Sequence, residues 1–513
     1  MRHETLGAML DFWARRWPDR LAVRTAARDA SWGDLLRASD SIAAGLAGLG
    51  VGAGDAVGIL LHNRLEFIET MLAVWRLGAR VTLLNIRLTE SEMAYLTADA
   101  RLKVVVSQHE LLGRLAVALA QQADLRLVLA EGGDGGADLA QWRAAGGQVA
   151  PAAAEAGDVA LICYSSGTTG FPKGVMLSHR NLREGGLATA VPCGFTPDDR
   201  VLISAPLAYT WGAVQYLREA LATGATAVLV DPAIGVEELL DVLTGERISL
   251  WSGVPILFER VAASPRFAGT AFPHLRHAVS GGTSLDLLRQ WQAKGVRLTQ
   301  AYGLTETAGH VALLFGEHAE GRLGSAGRAL LGVDLAIADE EGGFLPAGHS
   351  GEILVRGAMV MQGYLNNPEE TARAMRGDWL CTGDIGTIDA EGFLTVTGRK
   401  KDMLRSGGLN IYPAELERVL AGIAGMAECA VIGVADETWG EVPMLIVHGE
   451  GELDVEALRA RCLTQLAGYK RPRYLLDYGA PLPRTFSGKI MKHALRAEFA
   501  VAPEQARRLT YSA

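Results

Sequence analysis

The sequence predicts an α/β protein with a large N-terminal domain of layered α/β sheets, a β-rich subdomain, and a small α+β C-terminal domain. Three observations lead there. From residue 20 onward, short aliphatic runs alternate with segments of helical period, the pattern of parallel strands covered by helices. At 513 residues the chain is longer than one hydrophobic core ordinarily serves. Behind a charged connector, Lys400-Lys401-Asp402, the alternation resumes on a smaller scale, which divides the chain into residues 1–400 and 401–513.

Residues 6–17 carry apolar side chains at helical spacing, and residues 20–24 read as a short strand. Ser31 is suited to cap a second helix, because its hydroxyl can accept from a free N–H of the first turn. Residues 57–61 form a buried strand; His62, Asn63 and Arg64 then turn the chain into a helix that ends near Trp75. His62 and Asn63 read as a satisfied turn rather than a ligand site. Strand 81–84 and a helix from about Glu90 follow, and the Gly/Ala-rich residues 131–156 read as a surface loop with a short helix. Further strands are expected at 159–164, from 201 into Pro206, and at 227–230, 248–251 and 277–280, with a helix starting at Gly253-Val254-Pro255. Residues 324–328 and 351–356 suit turns and strands of the β-rich subdomain. In the last segment Pro413 opens a helix, strands fall at 430–434 and 444–447, and a helix at 455–466.

Composition narrows the function. Hydrophobic residues are 49% and charged residues 21%, as in a soluble globular protein. A net charge of −9 argues against nucleic acid as a main partner, while leaving room for local basic pockets that hold phosphates. The five cysteines are scattered without a CxxC pair, which argues against zinc and suits reduced thiols in a cytoplasm. The N-terminus lacks the apolar core of a signal peptide, and no uncharged apolar run reaches the roughly 18–20 residues of a membrane span.

Chemistry concentrates first in residues 164–174, Tyr-Ser-Ser-Gly-Thr-Thr-Gly-Phe-Pro-Lys-Gly. After a buried strand, small residues leave backbone N–H groups free to converge on anionic oxygens. Ser165, Ser166, Thr168 and Thr169 add hydroxyl donors around Gly167 and Gly170, and Lys173 adds a positive charge. The expected ligand is a polyphosphate. The P-loop pattern is not met, since Lys173 follows Pro172 and precedes Gly174 instead of Ser or Thr. A second motif, Leu298 to Glu306, ends in Tyr302-Gly303-Leu304-Thr305-Glu306. Tyr302 can stack on a base, Thr305 offers a hydroxyl, and Glu306 offers an oxygen ligand to Mg2+, which is usually held by one or two carboxylates plus substrate phosphates. Gly281-Gly282-Thr283 closes a strand with two residues that let backbone approach a flat ligand, or simply makes a strand–helix turn.

Together these motifs resemble the adenylate-forming superfamily of acyl- and aryl-CoA synthetases, peptide-synthetase adenylation domains and luciferases. The similarity runs from the loop at 164–174 to Pro483-Arg484-Thr485-Phe486-Ser487-Gly488-Lys489, nearly the whole chain. It implies that Gly281, Gly282 and Thr283 lie between the adenine and acyl sites, with Tyr209 and Gly303 lining the acyl pocket. It implies that Asp384 and Arg399 meet the ribose, and that Lys489 is the catalytic lysine of a mobile C-terminal domain. It implies that Asp402 is the hinge, and that Gly407 and Gly408 admit the pantetheine arm; on composition alone these glycines equally suit a hairpin turn. The chain departs from the family at Ala208-Tyr209, where an aromatic–His pair is common, and at Ser284, where Pro is common.

The expected reaction is ATP-dependent ligation of a carboxylic acid to CoA through an acyl-adenylate, with Mg2+ as the metal. The acid is expected to be fatty, aromatic or alicyclic rather than an amino acid, because no Asp stands between Tyr209 and Ala222 to meet an ammonium group. Arg218 and Glu219 read as a solvated face or local ion pair; the sharper alternative puts Arg218 on a polar or carboxylate group at the acid's distal end. A stand-alone adenylation enzyme loading a carrier protein, and a non-catalytic acyl-nucleotide binder, are the competing readings, with a light-emitting oxygenase remote. Oligomeric state is open, a homodimer among the options.

Overall fold

The computed structural model describes residues 4–131, 137–165, 172–281, 283–315, 321–322, 324–484 and 490–511. It divides into two compact units. The first comprises Met1–Leu335, Val355–Leu380 and Gly392–Leu394, and the second Ala336–Leu354, Cys381–Glu391 and Thr395–Ala513.

In the first unit one sheet orders its strands as Gly363–Tyr364, Lys173–Ser178, Val159–Ser165, Arg80–Leu83, Ala56–Leu60, Leu102–Ser107 and Arg126–Leu129. The last five pair in parallel, and Lys173–Ser178 runs antiparallel to its neighbours. Parallel strands are covered on both faces, which is why Ala56–Leu60 is buried at every position. A second sheet runs Ser325–Ala329, Gly309–Leu314, Arg297–Leu304, His277–Ser280, Leu250–Ser252, Arg200–Ile203, Thr226–Leu229, Leu21–Arg24 and Asp29–Ser31. From Leu21–Arg24 to Arg297–Leu304 its pairings are parallel.

Helices seal these sheets by burial and by caps. Ser31 accepts from Asp34 N at 3.1 Å and Asp34 Oδ2 accepts from Ser31 N at 2.9 Å, a reciprocal cap on helix Trp32–Gly48. Helix Leu65–Arg76 is buried along its whole length, so its charges need partners inside the protein. Glu69 takes Arg28 at 2.8 Å and Arg143 at 2.5 Å, and Arg76 lies between Asp11 at 2.6 Å and Asp40 at 2.5 Å. On the other side of the second sheet Trp251, Phe258 and Trp291 pack ring to ring, with Trp251 and Phe258 centroids 4.0 Å apart.

The second unit has its own core. Glu428–Asp436 and Gly440–His448 form a long antiparallel pair, extended by Tyr474–Asp477 in parallel and by Leu404–Ser406. Alternate residues of Glu428–Asp436 face opposite sides: Val431 joins a cluster with Leu416, Leu420 and Leu458, while Ala430 and Ile432 join one with Leu495. Helices Pro413–Leu420 and Val455–Gln465 thus serve one cluster, and helix Lys492–Glu498 the other. Among the described residues no helix is long and apolar enough to cross a membrane.

Two buried histidines tie stability to pH. Burial pushes His179 and His277 down to about 4 from 6.5; charges of Arg276 and Arg297 add to the effect at His277, and His179 Nδ1 accepts from Leu6 N at 3.3 Å. Both are neutral when folded, and the unfolded chain takes up the protons. Their contribution is present in full above about pH 6.5 and is lost as pH falls towards 4, up to about 3 kcal/mol per histidine. Urea unfolding across this range is expected to show stability falling on acidification, with a shallower fall in His277→Gln. A flat profile for the native protein contradicts this.

Candidate active site

Strands Val159–Ser165 and Lys173–Ser178 form an antiparallel hairpin in which Ser165 stands opposite Lys173 and Tyr164 opposite Gly174. The hydroxyl- and glycine-rich loop is therefore the hairpin's connection; Ser166, Gly167, Thr168, Thr169 and Gly170 lie outside the described residues. Gly174 keeps this mouth tight: a Cβ there would lie 3.2 Å from Leu365 Cβ and 3.3 Å from Tyr164.

Lys173 is almost buried and forms an ion pair with Glu370, whose carboxyl is held below its ordinary value first by that hydrogen bond. Its Nζ also lies 5.5 Å from the centroid of the Tyr364 ring, on which a cation is attracted by the ring quadrupole. Tyr364 O–H donates to Glu306 Oε1 at 3.0 Å. Burial, then the charge of Glu306, drive the phenol's pKa upward, so Tyr364 is a constant donor. Both partners come from one short segment: Asn367 caps helix Pro368–Ala374 by accepting from Glu370 N at 3.1 Å, and Tyr364 N donates to Thr371 Oγ1 at 2.9 Å.

Glu306 sits in a single turn, Thr305–Thr307, between antiparallel strands Arg297–Leu304 and Gly309–Leu314. The turn needs glycine at Gly303, where a Cβ would fall 2.0 Å from Gly309 O. Thr307 locks it, accepting from Leu304 N at 3.0 Å and donating to Gly309 O at 2.8 Å. Thr305 Oγ1 is 3.4 Å from Thr210 Oγ1, and Thr210 in turn meets the buried Cys163 thiol, which burial pushes up to about 12. Tyr302, half-buried, packs against the core opposite Ala312.

Tyr209 precedes helix Thr210–Gln215. Its loop is clamped by Asn63, which donates to Ala205 O at 2.9 Å and Val230 O at 3.0 Å and accepts from Leu207 N at 2.8 Å, so Asn63 is the satisfied turn residue expected. Gly281 ends strand His277–Ser280, with a Cβ position 3.2 Å from Ala301 O; Gly282 lies outside the described residues, and Thr283 is buried. Ser284, the departure from the family's proline, caps helix Leu285–Ala293 by accepting from Leu287 N at 3.3 Å. Arg218 and Glu219 form the expected ion pair at 2.6 Å, but their face is not solvated: their side chains are 3% and 1% exposed, in a π-helical turn, Tyr216–Leu221.

In the second unit, Asp384 is buried and pairs with Arg399 Nε at 2.9 Å, which brings together the two residues expected at the ribose. Gly407 and Gly408, with φ of 57° and 82°, make a two-residue hairpin turn between Leu404–Ser406 and Leu409–Ile411. Asp402 closes a short turn, Lys400–Asp402, whose backbone is held by Arg496: Nη1 donates to Lys401 O at 2.9 Å and Nη2 to Asp402 O at 2.5 Å. Lys489 lies outside the described residues; the chain on either side of 485–489 is joined by an Arg484–Ile490 bridge and by Met491 N donating to Pro483 O at 2.7 Å.

Tyr364 and Glu370 were not legible as site residues. They stand about 190 residues beyond Lys173, and nothing in their spacing ties them to it. Among the described residues no group of three or more His, Cys, Asp or Glu is set to hold a metal alone. A lone Glu306 carboxylate fits Mg2+ shared with substrate phosphates.

The chain matches the family model described as AMP-binding enzyme over residues 10–365, and that of the AMP-binding enzyme C-terminal domain over 415–489. It is 36% identical over 503 residues to a feruloyl-CoA synthase of Amycolatopsis sp, covering 97% of this chain and 100% of that protein. Among solved structures, an anthranilate CoA ligase in complex with anthranoyl-AMP superposes with a TM-score of 0.88 at 26% identity, covering 96% of this chain and 97% of that one. The o-succinylbenzoate coenzyme A synthetase of Bacillus subtilis, in complex with ATP and magnesium ion, gives 0.85 at 29% identity, covering 95% and 99%.

The hydrogen bond from Tyr364 to Glu306 is charge-assisted and largely buried. Tyr364→Phe is expected to cost about 1–3 kcal/mol in chemical denaturation. A loss below about 0.3 kcal/mol would show the bond to be replaceable by solvent.

Proposed function

Because the chain belongs to the AMP-binding enzyme family, we propose that it is an ATP-dependent carboxylic acid–CoA ligase. It works through an acyl-adenylate, releases AMP and pyrophosphate, and uses ATP, Mg2+ and CoA with a fatty, aromatic or alicyclic acid. One observation carries the reading: Lys173 and Glu306 converge on Tyr364 at the mouth of the hydroxyl- and glycine-rich loop.

In the first step a carboxylate oxygen attacks the α-phosphorus of ATP and the bond to pyrophosphate breaks. Both reactants are anions, so rate comes from positioning and charge compensation rather than from a covalent protein intermediate. Ser165, Ser166, Thr168, Thr169 and the backbone of Gly167 and Gly170 hold the departing phosphates. Lys173 exchanges Glu370 for phosphate oxygen while keeping the Tyr364 ring beneath it. Glu306, oriented by Tyr364, would hold Mg2+, which offsets phosphate charge when bound. Tyr302 stacks on the base beside Gly281, Gly282 and Thr283, and Asp384 with Arg399 takes the ribose hydroxyls. Lys489 bridges the carboxylate and the α-phosphate.

In the second step the CoA sulfur attacks the acyl carbonyl and AMP leaves. In this reading residues 401–513 rotate about Asp402, withdrawing Lys489 and bringing Gly407 and Gly408 to the pantetheine arm. Five free cysteines and the net charge of −9 support a cytoplasmic enzyme without a nucleic-acid partner.

AMP and pyrophosphate release with Mg-ATP and a broad acid panel, with and without CoA, tests the reading. The expected result is acid-dependent AMP release that requires CoA and yields acyl-CoA. Pyrophosphate exchange without acyl-CoA would replace CoA by a carrier-protein thiol, and no acid-dependent ATP chemistry would overturn the ligase. Lys489→Ala is expected to slow adenylation by about 10²–10³-fold while sparing thioester formation from supplied acyl-adenylate. Equal loss of both half-reactions would refute that division of roles.

A further inference from the structure

The first unit contains a buried polar cluster that the two reaction steps do not use. It begins beside the candidate machinery: Trp211 follows Thr210, which is 3.4 Å from Thr305. The indole of Trp211 packs edge-on against His310 with centroids 5.5 Å apart. His310 stands opposite Gly303 across the strand pair, and Arg218 Nη1 approaches the preceding residue, Gly309, so closely that a Cβ there would lie 2.9 Å from it.

The hydrogen bonds in this cluster are unevenly distributed. Glu219 is well supplied: its Oε1 accepts from Arg218 Nη2 at 2.6 Å and from Ser252 Oγ at 2.7 Å, and its Oε2 accepts from Gln215 Nε2 at 3.2 Å. Arg218 Nε, both ring nitrogens of His310 and Trp211 Nε1 are buried and have no partner among the described residues. Each such atom costs free energy when left unmet, and here they are gathered on neighbouring side chains.

We infer that His310 and Arg218 receive a neutral hydroxyl group at the distal end of the acid, so that the enzyme selects hydroxylated acids over plain hydrocarbon and dicarboxylic acids. This rests on the ligase reading above. Burial, and then the charge of Arg218, keep His310 neutral by holding its pKa well below the usual value. A neutral imidazole presents a donor at one ring nitrogen and an acceptor at the other, and a hydroxyl, which both donates and accepts, can pair with whichever nitrogen faces the acid. A second carboxylate is a poorer fit: the charge of Arg218 is already balanced by Glu219, so a further buried anion would bring its desolvation cost without a free counter-charge. The same balance answers the alternative that Arg218 meets a distal carboxylate.

The test compares acids of matched shape: cinnamate, 4-hydroxycinnamate and 4-carboxycinnamate, and octanoate, 8-hydroxyoctanoate and octanedioate. Acyl-CoA formation by the full chain gives kcat/KM for each. In at least one trio the hydroxy acid is expected to exceed both partners by about 10²-fold, the discrimination available to a site whose buried polar groups are otherwise unpaired. His310→Leu should collapse that ratio to within about threefold, while His310→Gln, which keeps a donor and an acceptor, should restore at least tenfold of it. The inference is overturned if the hydroxy acid is not preferred in either trio, if none of the six acids is used, or if His310→Leu lowers all three members equally. Failure of the ligase itself is recognised separately, by absence of acid-dependent AMP release across the broader panel.

Discussion

A lysine cannot be carried almost out of water without a counter-charge, and the first unit is built around meeting that requirement. Lys173 has Glu370 beside it and the face of Tyr364 beneath it, while the hydroxyl of the same ring supports Glu306. One short segment, Gly363 to the helix Pro368–Ala374, thereby joins the phosphate-loop hairpin to the turn that carries the candidate metal ligand. Because Gly363–Tyr364 is also the edge strand beside Lys173–Ser178, sheet pairing sets the register of this contact. On the function proposed above, anion binding would then be a substitution: phosphate would replace a carboxylate that already compensates the lysine, so the desolvation of Lys173 is met in folding rather than in binding.

The same logic recurs where no ligand is expected. Arg76 between Asp11 and Asp40, and Glu69 between Arg28 and Arg143, are charges buried because a helix in the middle of the unit has no solvent side. These are complete sets. The cluster at Arg218 and His310 is incomplete, and that difference separates a structural ion pair from a recognition surface.

Local signals were legible in the sequence wherever one element explains itself. Ser31 as a cap, Pro413 at a helix start, and the buried strands read at 57–61 and 159–164, which the structure places at Ala56–Leu60 and Val159–Ser165, follow from spacing and residue type. The phosphate-loop and Tyr-Gly-Leu-Thr-Glu motifs were legible because their chemistry is contiguous. Tyr364 and Glu370 were not, since their value lies in a contact with Lys173 across about 190 residues of sequence, which no periodicity encodes. Arg218 and Glu219 misled in a different way. Charges on a helix ordinarily mark its wet face, and only the packing of the π-helical turn against Ser252 reverses that assignment.

Arg496 gives the second unit a mechanical property. It grips the carbonyls of Lys401 and Asp402 from the helix that follows the 485–489 segment, and that segment's base is cinched by the Arg484–Ile490 bridge. The turn at Lys400–Asp402 is thus held by a residue that stands only seven positions beyond Lys489 in the chain. On the hinge reading proposed for Asp402, a rotation of this turn would be passed directly to helix Lys492–Glu498, which carries Arg496.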